Sequence, residues 1–229
     1  MNKGSKLGVI IVAAGTSQRM AGINKLFAPL RWKPLLAWSV DTCQRYSLVQ
    51  QIVLVLNGED LARGQKLKNE RGWSKVTLCP GGARRHDSVR EGLRQIRYCD
   101  LVMIHDGARP FLTPDLIEDG LKVVGETEAA VAAVPVKDTI KLAADERLIE
   151  ETLQRERLWA AQTPQIFSFD VITKAYENLA AEVTDDATAV EGLGHKVQLY
   201  MGDYKNIKVT TTEDLALARI IAREWKEKN

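Results

Sequence analysis

Five ionic side chains stand out by type and position: Arg19 and Lys25 beyond the apolar run 7–14, Asp106 and Arg109 directly after the run 101–105, and Lys208 in Asn206-Ile207-Lys208. Four cations around one acid, without a Ser-His-Asp or Cys-His pairing, suit phosphoryl or nucleotidyl transfer. In such reactions positioning and charge neutralisation do most of the work. The same set suits hydride transfer or peptide hydrolysis poorly. The turn Ala13-Ala14-Gly15 that leads into Arg19 lets backbone N–H groups approach an anion. It has neither the G-x-G-x-x-G of a dinucleotide fingerprint nor the G-K-[S/T] of a Walker loop. An ordinary solvated loop is the alternative for this segment.

Two further turns carry candidate groups. In Pro80-Gly81-Gly82-Ala83-Arg84-Arg85-His86-Asp87-Ser88, paired glycines permit close backbone approach and Ser88 offers a hydroxyl from the first turn of the next helix. A tight turn with a helix cap is the other reading. Asp106, at the carboxyl end of a strand, is sited to hold a divalent metal or a substrate hydroxyl. Magnesium takes few carboxylates and several phosphate oxygens, so a lone aspartate is enough. Arg109 can grip a phosphate or carboxylate with both prongs, or simply pair with Asp106. Lys208 reads as a phosphate ligand or as solvation of an edge strand. His105 is expected to be a packed core histidine without a catalytic role, and Trp159 to pack.

The elements that must position these groups follow from the apolar pattern. β-branched-rich runs at 7–13, 51–56, 75–79, 101–105 and 129–134 read as strands covered on both faces. Helical patterns at 34–46, 59–71, 87–97 and 114–126 fill the gaps, with Pro34 and Pro114 at first helical positions and Thr113 as an N-cap. The alternation predicts a three-layer, Rossmann-like α/β fold with a mostly parallel sheet, whose ligands bind outside the carboxyl ends of the strands. The rhythm breaks at 136–163, where extended stretches 139–143 and 148–153 predict a protruding β-hairpin arm. Helices at 170–181 and 186–193, strands at 197–201 and 207–210, and a last helix capped by Thr212 complete the chain. The 229 residues are expected to form a single domain, 1–229, with that arm. With 32 basic against 30 acidic residues the net charge is +2, which argues against a nucleic-acid coat or a membrane-surface protein. Cys43, Cys79 and Cys99 lack C-x-x-C spacing, so neither a zinc site nor a disulfide framework is expected, and a cytoplasmic setting is the default. No apolar segment approaches the roughly 20 residues a membrane helix needs.

The motifs also occur in a telling order. Ala13-Ala14-Gly15…Arg19-Met20…Lys25 resembles the signature loop of sugar-nucleotide-type nucleotidyltransferases. Gly82-x-x-Arg85-x-x-Ser88-Val89, His105-Asp106-Gly107-Ala108-Arg109-Pro110, Asp138-Thr139-Ile140-Lys141, Arg155…Leu158-Trp159…Thr163-Pro164-Gln165, Thr184-Asp185-Asp186 and Asn206-Ile207-Lys208-Val209-Thr210 follow it. The series resembles the 2-C-methyl-D-erythritol 4-phosphate cytidylyltransferase family over nearly the whole chain. The resemblance implies magnesium-dependent transfer of CMP from CTP to the phosphate of a polyol phosphate, releasing pyrophosphate, in non-mevalonate isoprenoid precursor biosynthesis. It implies that Ala13, Ala14 and Gly15 wrap the triphosphate, that Arg19 and Lys25 stabilise charge on the α-phosphate, and that Gly82 and Ser88 read cytosine. Asp106 and Arg109 would lie beside substrate and metal, Lys208 would bridge the two phosphates, and Thr163 and Thr184 would serve the substrate side. Thr139 and Arg155, on an arm exchanged within a homodimer, would serve the neighbouring active site. Three positions depart from the family pattern: Ser17 in place of a second glycine, Asn24-Lys25-Leu26 in place of Pro-Lys-Gln, and Thr212 in place of a proline. A ribitol-5-phosphate cytidylyltransferase, which shares nearly all these motifs, is one alternative. A non-catalytic nucleotide- or sugar-phosphate-binding module is the other.

Overall fold

The run 7–13 forms strand β1 (Leu7–Ala13), buried at every residue except the half-buried Val12, as a strand with helices over both faces must be. The coordinates are a computed structural model that describes residues 5–15, 24–179 and 183–225. Two short strands, β2 (Pro29–Leu30) and β3 (Lys33–Pro34), lead into helix α1 (Leu35–Arg45). Then β4 (Val49–Leu56), α2 (Leu61–Arg71), β5 (Val76–Pro80), α3 (Arg85–Gln95), β6 (Leu101–Asp106), α4 (Pro114–Thr127) and β7 (Ala129–Pro135) alternate as the apolar pattern predicts.

The principal sheet has seven strands among the described residues, and its remaining members come from the second half of the chain. These are β10 (Trp159–Ser168) and β11 (Gln198–Met201), giving the order β11-β7-β10-β6-β1-β4-β5. β5, β4, β1 and β6 run parallel, as do β7 and β11, whereas β10 is antiparallel to both of its neighbours. Helices α1, α2 and α4 pack on one face, where Val9 and Ile11 of β1 point. Helix α3 covers the other face beside Ile10, together with α5 (Phe169–Glu177) and α6 (Asp186–Glu191). This is the expected three-layer α/β fold. A third apolar cluster joins the last helix, α7 (Thr212–Glu224), to α1 through Leu215, Ala218, Trp38 and Phe111.

Four sequence expectations change. The apolar pattern does not predict the ten-residue β10, which begins at Trp159, inside the span expected for the arm. Its pairing with β7 breaks between Ala161 and Gln165, around Thr163-Pro164, so a mid-strand proline is accommodated where the ladder is interrupted. Residues 207–210 form no strand; one backbone bond, from the Val209 N–H to the Ala108 carbonyl at 2.9 Å, ties them to the sheet side. Pro34 is the N-cap of α1 and not its first residue. The cap of α7 is Thr211 and not Thr212: its hydroxyl accepts from the Asp214 N–H while the Asp214 carboxylate accepts the Thr211 N–H at 2.9 Å. The excursion between β7 and β10 holds a small antiparallel hairpin, β8 (Lys141–Ala143) and β9 (Ile149–Thr152), every residue of it exposed.

Candidate active site

The carboxyl ends of β1, β5 and β6 border a cleft of about 220 Å³. Ala13, Ala14, Gly15, Lys25, Gly82, Arg85, Ser88, Asp106 and Lys208 line it. Single backbone bonds just past the strand ends hold its floor: Gly107 N–H donates to the Val12 carbonyl at 2.8 Å and Gly81 N–H to the Leu56 carbonyl at 2.7 Å. Only glycine fits at 81, where a Cβ would stand 2.4 Å from the Ala14 Cβ and 2.8 Å from Ser88 Oγ. Ser88 itself is buried and works locally, accepting from Gly82 N–H at 3.2 Å and donating to the Arg84 carbonyl at 3.2 Å. A larger hollow of about 810 Å³ between α1, α4 and α7 contains none of the sequence-predicted site residues. Converging charge, not volume, distinguishes the smaller cleft.

At the centre lies Asp106, almost wholly buried. Lys208 Nζ is 2.9 Å from one carboxylate oxygen, Arg109 Nε 3.6 Å from the same oxygen, and Arg85 Nε 3.4 Å from the other. Burial would raise the Asp106 pKa, but Lys208, Arg85 and Arg109 together hold it well below the usual carboxylate range. Arg85 is itself held by a second acid. Its two terminal nitrogens meet the two oxygens of Asp186 at 3.0 and 2.7 Å, and the Tyr176 hydroxyl donates to Asp186 at 2.6 Å. Burial would lower the Arg85 pKa; Asp186 and then Asp106 raise it instead. Burial and then Asp186 push the Tyr176 hydroxyl up. Sequence reading assigns Arg85 and Asp186 no role. They lie 101 residues apart, and no local spacing signals a pairing that only the packing of α6 beside α3 creates.

Lys208 does not end a strand. Its segment is anchored instead by buried Asn206, whose Nδ2 donates to the Thr163 carbonyl at 2.8 Å, while the lysine side chain remains 41% exposed. Arg109 donates to the Asn206 carbonyl at 2.7 Å and so clamps the same segment besides pairing with Asp106. Thr163, in β10, accepts the Asp106 N–H at 3.0 Å through its hydroxyl. Thr184 is exposed at the entry to α6, its hydroxyl 3.4 Å from that of Thr188. Thr139 and Arg155 do not line the cleft; both are exposed on the excursion, where Arg155 donates to the Lys137 carbonyl at 3.0 Å. Arg19 and Ser17 lie outside the described residues.

His105 is fully buried and its partners assign its proton. Nε2–H donates to the Arg109 carbonyl at 3.0 Å, and Nδ1 accepts from the Thr163 hydroxyl at 3.2 Å. Burial lowers its pKa from 6.5 to about 4, so the ring is neutral at physiological pH. The unfolded chain then binds more protons than the folded one between these two values. The stabilisation from keeping His105 neutral is therefore complete above the unfolded value and lost as pH falls toward the folded one. The shift corresponds to on the order of 3 kcal/mol. Urea unfolding at about pH 7 and pH 4.5 is expected to show most of this loss, above the range in which Asp106 titrates. Equal stabilities at the two pH values would contradict the assignment.

Lysine and arginine gathered around a buried aspartate at the carboxyl ends of α/β strands suit the binding of phosphate groups. The family profile described as IspD, 2-C-methyl-D-erythritol 4-phosphate cytidylyltransferase, matches residues 7–224. The enzyme of that description from Dehalococcoides mccartyi strain CBDB1 is 46% identical over 222 residues, covering 96% of this chain and 98% of that one. Among solved structures, the 4-diphosphocytidyl-2C-methyl-D-erythritol synthase of Anaerococcus prevotii is 29% identical and superposes with a TM-score of 0.86, covering 96% of this chain and 97% of that one. The Thermus thermophilus cytidylyltransferase gives 28% identity and a TM-score of 0.77 over 95% and 99% of the two chains. This chain belongs to the 2-C-methyl-D-erythritol 4-phosphate cytidylyltransferase family. It is a cytidylyltransferase that makes CDP-methylerythritol from CTP and methylerythritol phosphate in isoprenoid biosynthesis. The ribitol phosphate enzyme and the non-catalytic binding module are thereby set aside.

Proposed function

We propose that the transfer takes place in the 220 Å³ cleft and proceeds by charge neutralisation alone. The observation that carries this reading is the convergence of Lys25, Arg85 and Lys208 on the cleft that Asp106 closes. Both reactants are anions, and cations drawn from separate strand ends offset their repulsion. The attacking phosphate oxygen is already deprotonated near neutral pH, so no general base is needed, in keeping with a neutral, buried His105. Ala13, Ala14 and Gly15 receive the triphosphate, Arg19 and Lys25 meet charge developing on the α-phosphate, and Gly82 and Ser88 border the cytosine. Lys208 is the exposed cation that can leave Asp106 to lie between the two phosphates. Arg109 holds its segment in place. Thr163 and Thr184 lie toward the polyol phosphate.

Magnesium is the expected cofactor. Asp106 is the carboxylate among the residues that line the cleft, and it would hold the ion. That donor set fits a cation held mainly by phosphate oxygens, where it would screen the negative charge of the triphosphate. The chain works as one domain whose arm is exchanged in a homodimer, Thr139 and Arg155 reaching the neighbouring cleft. Leu142, Leu148, Ile149 and Trp159 support this, since each exposes apolar surface on or beside the hairpin. Trp159, at the start of β10, is covered in part by its own chain and 39% exposed. The three free cysteines fit a cytoplasmic enzyme, and none of the described helices is long and apolar enough to cross a membrane.

One assay tests the reading. Pyrophosphate release from CTP is expected with methylerythritol phosphate, to stop with EDTA and to resume with magnesium. Lys25→Ala and Arg155→Ala chains, each slow alone, are expected to regain activity when mixed, because a mixed dimer contains one intact cleft. A mixture no faster than its components, or full activity in EDTA, would overturn the arm or the metal assignment respectively.

A further inference from the structure

The residue before Lys25 is tied to a part of the fold outside the cleft. Asn24 Nδ2 donates to both carboxylate oxygens of Asp60, at 2.8 and 2.7 Å, while its Oδ1 accepts from Leu26 N–H at 3.3 Å. The bond from Leu26 N–H caps the single 3₁₀ turn Lys25–Phe27 that carries the lysine. Asp60 is only 4% exposed and sits where β4 passes into α2. Asn57 fixes it there, donating Nδ2 to its carboxylate at 2.8 Å and accepting its N–H at 2.9 Å. Arg63 adds a third tie: it lies 3.7 Å from Asp60 and 4.2 Å over the ring of Phe27, the last residue of the turn.

We propose that Asn24 and Asp60 are positioning residues for the reaction, the buried carboxylate holding the asparagine amide so that the turn presents Lys25 to the α-phosphate at one fixed place. The inference rests on the reading of Lys25 given above. Lysine is a compact charge on a long flexible stem, so the backbone that launches it decides where the charge arrives. A displacement of about 1 Å at such a group can cost on the order of 10²-fold in rate. Neither residue touches the cleft, so their effect belongs in kcat, not in the binding of CTP. Asn24 has φ −74°, near the roughly −65° that a proline ring enforces. Proline at this position would hold the entry to the turn without any bond to Asp60.

That equivalence separates positioning from plain stability. Asn24→Ala is expected to lower kcat by about 10- to 100-fold with the KM for CTP little changed, and Asp60→Asn to act in the same direction. Asn24→Pro is expected to restore most of kcat, although its urea midpoint falls alongside that of Asn24→Ala, because both leave the Asp60 carboxylate with the Asn57 amide but without that of Asn24. Wild-type kcat in Asn24→Ala overturns the proposal, as does an Asn24→Pro enzyme as slow as Asn24→Ala. Lys25→Ala serves as the control. If it retains full kcat the reading of Lys25 fails; if it is slow while the Asn24 variants are fast, only the positioning role fails.

Discussion

Lys25→Ala is expected to lower kcat by about 10²-fold or more, with a much smaller change in the KM for CTP. The reasoning is electrostatic. The developing negative charge lies on the α-phosphate while two anionic reactants are pressed together, and the lysine contributes most when that charge is greatest. Lys25 lines the cleft beside Ala14, Gly15 and Asp106, on a turn locked into the fold by buried Leu26. Lys208, which rests on Asp106 at 2.9 Å and is assigned to the space between the two phosphates, does not replace it. Steady-state and single-turnover pyrophosphate release decide the matter. A variant changed only in KM would show that Lys25 binds the ground state and transition state equally, and would move the charge-stabilising role elsewhere.

Asp186→Ala is expected to cost about 3–5 kcal/mol of folding stability, the usual loss when one partner of a buried ion pair is removed. Asp186 is fully buried, and the variant would leave the Arg85 guanidinium without its two-pronged acceptor and the Tyr176 hydroxyl without its 2.6 Å partner. For a protein whose total stability is of the order of 5–15 kcal/mol, that is a severe loss. Arg85 would then depend on Asp106 alone and compete there with Lys208. Urea denaturation measures the loss, and Asp186→Asn, which keeps the shape but not the charge, is expected to fall between wild type and alanine. A loss below about 1 kcal/mol in the alanine variant would mean that Arg85 turns to solvent and that the network is not cohesive.

The two expectations differ in how visible they were before folding. Lys25 could be singled out because it follows a buried strand and a glycine turn, a local relation. Asp186 could not, since its meaning depends on Arg85 in another helix. β10 was hidden for a related reason: its residues are half polar and interrupted by Pro164, features that argue against a central strand. What makes 159–168 a strand is the vacancy between β6 and β7, whose backbone groups on both sides need partners. Conversely, 207–210 has β-branched composition but finds no strand to pair with, and buried Asn206 fixes it instead.

By itself the sequence determined the layers, the parallel half of the sheet and the ends of strands where charge collects. Each follows from a periodicity of a few residues and from burial on two faces. The net charge of +2 gave no hint of a cationic cleft, because nearly equal numbers of acids and bases say nothing about where either gathers. Only the tertiary structure decided that Arg85 stands between Asp186 and Asp106, that Lys208 rests on the same acid, and that a buried aspartate outside the cleft holds the residue before Lys25. These are contacts between segments tens to a hundred residues apart. Their energies come from desolvation and Coulomb attraction at a few ångströms, which exist only once the chain has closed around them.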